Sequence, residues 1–205
     1  MNELKTLTEF QADALKEVGN IGIGQATTSL SMMVNRTIKI SMPDLKFIPL
    51  VKVPDLVKFQ EPQVGIILEL KGDYKGFILY LLSKDSAKFL TNLVLGASES
   101  QDTFSEMEQS VLNELGNIMG GAYITALSNF LGISISLSCP FQLYDMAEAI
   151  INQVIGIMSL DVDNVLFLET EFDIKNEKLA GKMFIFTDAQ SLSGLLDAIN
   201  RIAEI

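Results

Sequence analysis

The sequence predicts an α+β fold built from two similar halves, with a pseudo-two-fold axis relating them and an antiparallel sheet packed with helices. Three observations carry this reading. Residues 13–31 (DALKEVGNIGIGQATTSLS) and 110–128 (SVLNELGNIMGGAYITALS) align without gaps at an offset of 97 and share nine of nineteen residues, so the repeat is internal rather than accidental. Each copy is followed by a stretch that alternates apolar and polar residues and ends in proline, residues 36–43 and 133–140. Each half then continues into two strand-like apolar runs and closes on an amphipathic helix.

In chain order, each half reads as long helix, strand, hairpin, helix. The alternating stretches are expected to be half-buried strands stopped by Pro43 and Pro140. The hairpins are expected at 64–71 with 75–82, and at 165–173 with 179–187, turning at Gly72-Asp73 and Asn176-Glu177. Closing helices are expected at 84–95 and 188–202. Two stretches break the symmetry. Residues 49–62 carry three prolines and read as loop, whereas 144–160 has a helical pattern. The polar run 97–103 separates repeats 1–97 and 104–205, and Thr103-Phe-Ser-Glu106 resembles a capping box. With three strands each, neither half readily covers its own apolar face, so residues 1–205 are read as a single domain.

Composition narrows the chemistry. The chain is 48% hydrophobic and 20% charged with five prolines, which suits a folded core. No apolar run approaches the ~18 residues of a membrane helix, and MNELKTLTEF lacks the regions of a signal peptide. One cysteine, Cys139, leaves no internal disulfide, so no membrane insertion and a cytoplasmic location are expected. A net charge of −11 without a Lys/Arg cluster argues against a nucleic-acid partner. The absence of histidine excludes Ser-His-Asp and Cys-His catalysis and His-ligated zinc. Chemistry must run on carboxylates, amides, hydroxyls or lysines.

The repeated helices carry such groups in register. At 100° per residue, Asp13, Asn20, Gly24 and Thr27 fall within about 80° of Glu17, and Leu15, Val18, Gly22, Ala26, Ser29 and Met33 lie on the other side. Ser110, Glu114, Asn117 and Gly121 form the matching stripe, with Leu112, Leu115 and Met119 facing the core. The i, i+3 spacing sets a carboxylate beside an amide, and the following glycine leaves room for another backbone to approach. An exposed Glu-x-x-Asn is ordinarily a solvated face, and Gly-Asn is ordinarily a helix end. Against both stand the apolar periodicity that runs on past each Gly-Asn step and the survival of the same polar pair in both copies.

Other features read as structural. Gly22-Ile23-Gly24 lacks the preceding strand and third glycine of a dinucleotide site. Glu169 and Glu171 read as a strand's solvent face, Asp161 and Asp163 are too few for a calcium loop, and Cys139 reads as core in a strand. The nine methionines are expected to pack the core, with Met32, Met33 and Met119 able to line a contact surface.

Asp13, Glu17, Asn20 and Pro43, and again Ser110, Glu114, Asn117 and Pro140, follow one spacing: Asp/Ser-x-x-x-Glu-x-x-Asn, with proline 23 residues after the Asn. This resembles the signature of the CheC/CheX/FliY phosphatases of bacterial chemotaxis, over nearly the whole chain. Two intact motifs fit the two-motif CheC-type members better than the shorter, single-motif CheX type or FliY with its added domain. The resemblance implies hydrolysis of the aspartyl phosphate on a CheY-type response regulator. Asn20 and Asn117 would orient the attacking water, and Glu17 and Glu114 would pair with the regulator's active-site lysine. It implies no cofactor of the chain's own, the Mg²⁺ being the regulator's. It also implies a second partner, the receptor deamidase CheD, with Asp145 in the 144–160 segment the first residue to test and an early-turn acid by its pattern. Asp13, Gly24, Ser110 and Gly121 are expected to complete the partner-binding stripes. The alternative is a non-catalytic adaptor that binds CheD or a receiver domain.

Overall fold

Thr8 accepts a hydrogen bond from the Gln11 backbone N–H (3.2 Å) while its own N–H donates to the Gln11 side chain (2.9 Å), and this reciprocal cap starts α1, Glu9–Met33. The computed structural model describes residues 7–57, 59–96, 103–158, 164–174 and 177–203. After α1 come β1 (Lys39–Pro49), a 3-10 turn (Leu50–Lys52), α2 (Val53–Leu56), β2 (Gln63–Gly72), β3 (Gly76–Ser83) and α3 (Lys84–Leu95). The second half contains α4 (Glu106–Leu131), β4 (Ile135–Leu137), β5 (Phe141–Asp145), α5 (Ala147–Ile157), β6 (Asn164–Ile174), β7 (Glu177–Thr187) and α6 (Ala189–Ala203).

The strands form one antiparallel sheet in the order β1-β6-β7-β3-β2-β4, with β5 also on β2. The halves therefore exchange strands. The first strand of each half lies against the hairpin of the other, and the two hairpins meet at β3 and β7, where Leu79 is opposite Phe184.

Period-two alternation sorts the hairpin side chains onto two faces. Ile66, Leu68, Ile78, Tyr80, Leu166 and Met183 face α1, α3, α4 and α6 in one core, while Ile67, Leu79, Leu81, Phe167, Phe184 and Phe186 face α2 and α5 in a second. Burial on both faces explains why Phe77-Ile-Leu-Tyr-Leu-Leu82 is apolar throughout instead of alternating. Each such side chain contributes about 1.5–3 kcal/mol by leaving water. On the second face Lys182 reaches across, its ammonium donating to the Leu56 carbonyl and lying 4.8 Å above the Phe59 ring, so that α2 is strapped to the sheet. Burial pushes the Lys182 pKa down, with Glu169 on the neighbouring strand opposing.

Several expectations are corrected. The prolines do not stop the strands in the same way. β1 runs through Pro43 to Pro49 with a register slip of one residue between Ser41 and Asp44. The second copy breaks into β4 and β5 around Pro140, and again gains one residue, since Leu137 opposes Leu70 and Phe141 opposes Ile67. Pro43 lies within the edge strand β1 and Pro140 in the break between β4 and β5 at the other edge, where a missing N–H and a bulge are tolerated. Residues 49–62 are not simply loop: Val53 and Val57, at 0% and 1% exposure, close the second core. The cap of α4 is Ser105 with Glu108, two residues beyond the expected Thr103–Glu106 pair. Cys139 is exposed and sits between β4 and β5 rather than in a strand. Met183 is core, but Met32 and Met107 are 71% and 65% exposed. Most of the run 97–103, Asn176, Asp161 and Asp163 lie outside the described residues. Among those described, no helix is long and apolar enough to cross a membrane.

Candidate functional site

α1 and α4 pack against each other on the outer face of the first core, and glycines decide how closely. A Cβ on Gly22 would stand 2.9 Å from the Cα of Tyr123, and one on Gly116 would stand 2.6 Å from Ile66 Cγ2. These inward glycines let the helices sink onto one another and onto the sheet. Leu15, Val18, Ala26, Leu112, Leu115 and Leu127 fill the same buried side. Beneath them the Tyr80 and Tyr123 hydroxyls are buried without hydrogen-bond partners among the described residues, and burial pushes both pKa values upward, so neither ionises.

The outward side carries the repeated polar groups. Asp13, Glu17, Asn20 and Gly24 are exposed on α1, and Ser110, Glu114 and Asn117 are exposed on α4 with Gly121 half-exposed. Thr27, expected on the first stripe, is half-buried. Gly19-Asn20 and Gly116-Asn117 are mid-helix, since α1 continues to Met33 and α4 to Leu131, which removes the helix-end reading. Among the described residues none of Glu17, Asn20, Glu114 and Asn117 is tied up in a side-chain hydrogen bond or ion pair. A Cβ at Gly24 or Gly121 would meet nothing within 4 Å, so each stripe ends in open space above bare backbone. The arrangement offers, twice, a free carboxylate and a free amide about one helical turn apart on a rigid rod.

Asp145 differs from its expectation. It closes β5 opposite Gln63, exposed, and its carboxylate accepts from the Met146 N–H (2.7 Å), whereas the acid in the first turn of α5 is Glu148. The strand extends further than the helical pattern indicated because β5 completes the ladder on β2.

Two residues on the stripes escaped the sequence reading. Phe10 and Met107 stand seven positions before Glu17 and Glu114, at the same place in each repeat, and are 43% and 65% exposed. Seven residues at 100° bring them to within about 20° of each Glu, so an apolar group heads both stripes. The signal was their common offset of 97, hidden because the two residue types differ.

A model of the CheC-like family matches residues 10–46 and 107–144, which are the long helix and first strand of each half. The chain is 29% identical over 208 residues to the CheY-P phosphatase CheC of Bacillus subtilis (strain 168), covering 97% of this chain and 98% of that protein. It is 30% identical over 149 residues to the flagellar motor switch phosphatase FliY of the same organism, covering 71% of this chain but 39% of that protein. Among solved structures, FliY of Thermotoga maritima superimposes with a TM-score of 0.77 at 25% identity, over 96% of this chain and 99% of that one. A chain of the FliM-SpeE complex from H. pylori shares the fold at 12% identity with a TM-score of 0.73, over 96% and 97% of the two chains.

Proposed function

We propose that this chain, which a model of the CheC-like family matches in both of its halves, is a phosphatase of bacterial chemotaxis that hydrolyses the aspartyl phosphate of a CheY-type response regulator. The observation that carries the reading is the free Glu/Asn pair presented mid-helix, outward, at the same register on α1 and α4.

The chemistry suits those groups. An acyl phosphate is already activated, and the regulator surrounds it with its own Mg²⁺ and lysine. What remains is to bring a water in line, at about 3–3.5 Å from phosphorus, and hold it there. Asn20 or Asn117 does this, because an amide both accepts from and donates to a water without changing charge. The water oxygen forms the new bond to phosphorus, the bond to the aspartyl oxygen breaks, and the phosphate leaves with the water's protons. Glu17 or Glu114 pairs with the regulator's lysine and sets the docking register. Asp13 and Ser110 extend the contact, and Gly24 and Gly121 let the regulator's backbone come close. CheD is the second partner we propose, with Asp145 at the end of β5 the residue whose replacement by Ala tests that contact.

Asn20→Ala combined with Asn117→Ala is expected to abolish accelerated phosphate release from the phosphorylated regulator while the circular-dichroism spectrum and melting temperature stay unchanged, because both side chains are exposed and unbonded. Release as fast as wild type in the double variant overturns the mechanism. The same assay with and without CheD shows whether that partner alters turnover.

A further inference from the structure

The second stripe has a side wall that the first lacks. On β5, Gln142 and Tyr144 point to the α4 side of the sheet. The Gln142 amide donates to the Gln109 carbonyl and to Asn113 Oδ1, the latter at 2.8 Å. Asn113 precedes Glu114 in the chain and lies four residues before Asn117, so this clamp grips the turn that bears the proposed site. Tyr144 is 45% exposed and meets Phe104, just before α4, edge-on at 6.0 Å between ring centres.

The first half is built otherwise. Since both outer strands slip by one residue at their prolines, Asp44 opposite Glu169 corresponds to Phe141 opposite Ile67. Gln142 then corresponds to Leu45 and Tyr144 to Phe47, and both of these are tucked against the main core. Leu45 has no donor, and the counterparts of Gln109 and Asn113 are Ala12 and Lys16. Beside α1 the sheet edge is apolar and turned inward, whereas beside α4 it is hydrogen-bonded to the helix and presents a tyrosine.

We infer, on the phosphatase reading, that the phosphorylated receiver domain docks at the second stripe against Tyr144 of β5 as well as α4, with Gln142 the positioning residue that holds strand and helix as one surface. The wall is continuous with the stripe through Asn113. A tyrosine offers a receiver domain a large contact with a polar tip at small entropic cost. At the first stripe the regulator meets the helix alone.

The test separates the sites. In an Asn20→Ala background only the second site turns over, and there Gln142→Leu and Tyr144→Ala are each expected to raise KM for the phosphorylated receiver about tenfold, the size of a typical interface contact, with kcat within about twofold. Asn113→Ala should give a smaller rise, because Gln142 keeps its bond to the Gln109 carbonyl, and adding it to Gln142→Leu should raise KM no further, because both act on one clamp. In an Asn117→Ala background these changes should leave KM and kcat as they are, which also shows that the variants fold. An unchanged KM in the first background, or equal losses in both, overturns the proposal. If neither background releases phosphate faster than the double Asn variant, the phosphatase reading fails by itself. Docking is then read by titrating each variant with the beryllofluoride-loaded receiver, where Gln142→Leu and Tyr144→Ala must still weaken binding for the wall to stand.

Discussion

The N-termini of α1 and α4 share a geometry but not a chemistry. Both open with a reciprocal cap, Thr8 with Gln11 and Ser105 with Glu108, and in both the third helical residue turns back into the protein to meet a closing helix. Gln11 donates to Asn200 Oδ1 of α6 at 3.0 Å, a neutral contact. Glu108 takes both its oxygens to Lys88 of α3, at 2.8 and 2.9 Å, with the two side chains 1% and 14% exposed, and Lys88 also donates to the Thr103 carbonyl. In each case the closing helix belongs to the opposite half. The duplication has thus kept which elements meet, while the groups at the meeting point have been free to become either an amide pair or an ion pair.

That difference can be broken most severely at Lys88. Lys88→Met leaves the Glu108 carboxylate buried without its counter-charge and is expected to cost about 3–5 kcal/mol in urea unfolding. Adding Glu108→Gln should recover most of that loss, because the uncompensated charge goes with it. A smaller effect is expected at the neutral end, where Asn200→Ala removes one amide contact and costs about 1 kcal/mol. Equal costs at the two ends would mean that the ion pair is not the buried interaction its exposure indicates.

The third expectation, smallest near neutral pH, concerns acid. Burial alone would raise the Glu108 pKa, but the bonds from Lys88 and Ser105 outweigh it and hold the carboxyl below its ordinary value. The unfolded chain therefore binds this proton more readily than the folded one. The stabilisation is complete above the unfolded carboxylate pKa of about 4.3 and is lost as pH falls through the lower folded value. Melting temperatures followed from pH 6 down to pH 3 should fall more steeply for wild type than for Glu108→Gln. Parallel curves would remove Glu108 from the acid response.

How much of this was legible in the sequence depends on how local each signal is. α3 lies where the pattern placed it, and α6 within one residue, because a 3.6-residue period is written within a dozen neighbours. The outward faces of Glu17, Asn20, Glu114 and Asn117 were legible for the same reason. The strand exchange was not, since β1 pairs with a strand more than a hundred residues away and alternation carries no partner's address. Nor was the path of β1 through Pro43, which depends on that strand being at the edge of the sheet. The cap at Ser105 is hard to place from sequence because two S/T-x-x-E frames overlap there, and the second is joined by Lys88, twenty residues before Glu108. Gln142 gave no signal, as its role exists only where β5 and α4 come together.

The exchange of strands also has a consequence for synthesis. As the chain emerges, β2 and β3 can form their hairpin at once, since their contacts are local. Its far edge on β3, however, is covered only by β7, which follows about 100 residues later, some 5–20 s of translation at ordinary ribosome speeds. Through that interval the apolar run 77–82 has no neighbour on one side, which is the condition in which a nascent strand pairs with the wrong partner. The two candidate sites obtained by duplication are thus tied to a first half that cannot finish folding until the second half has been made.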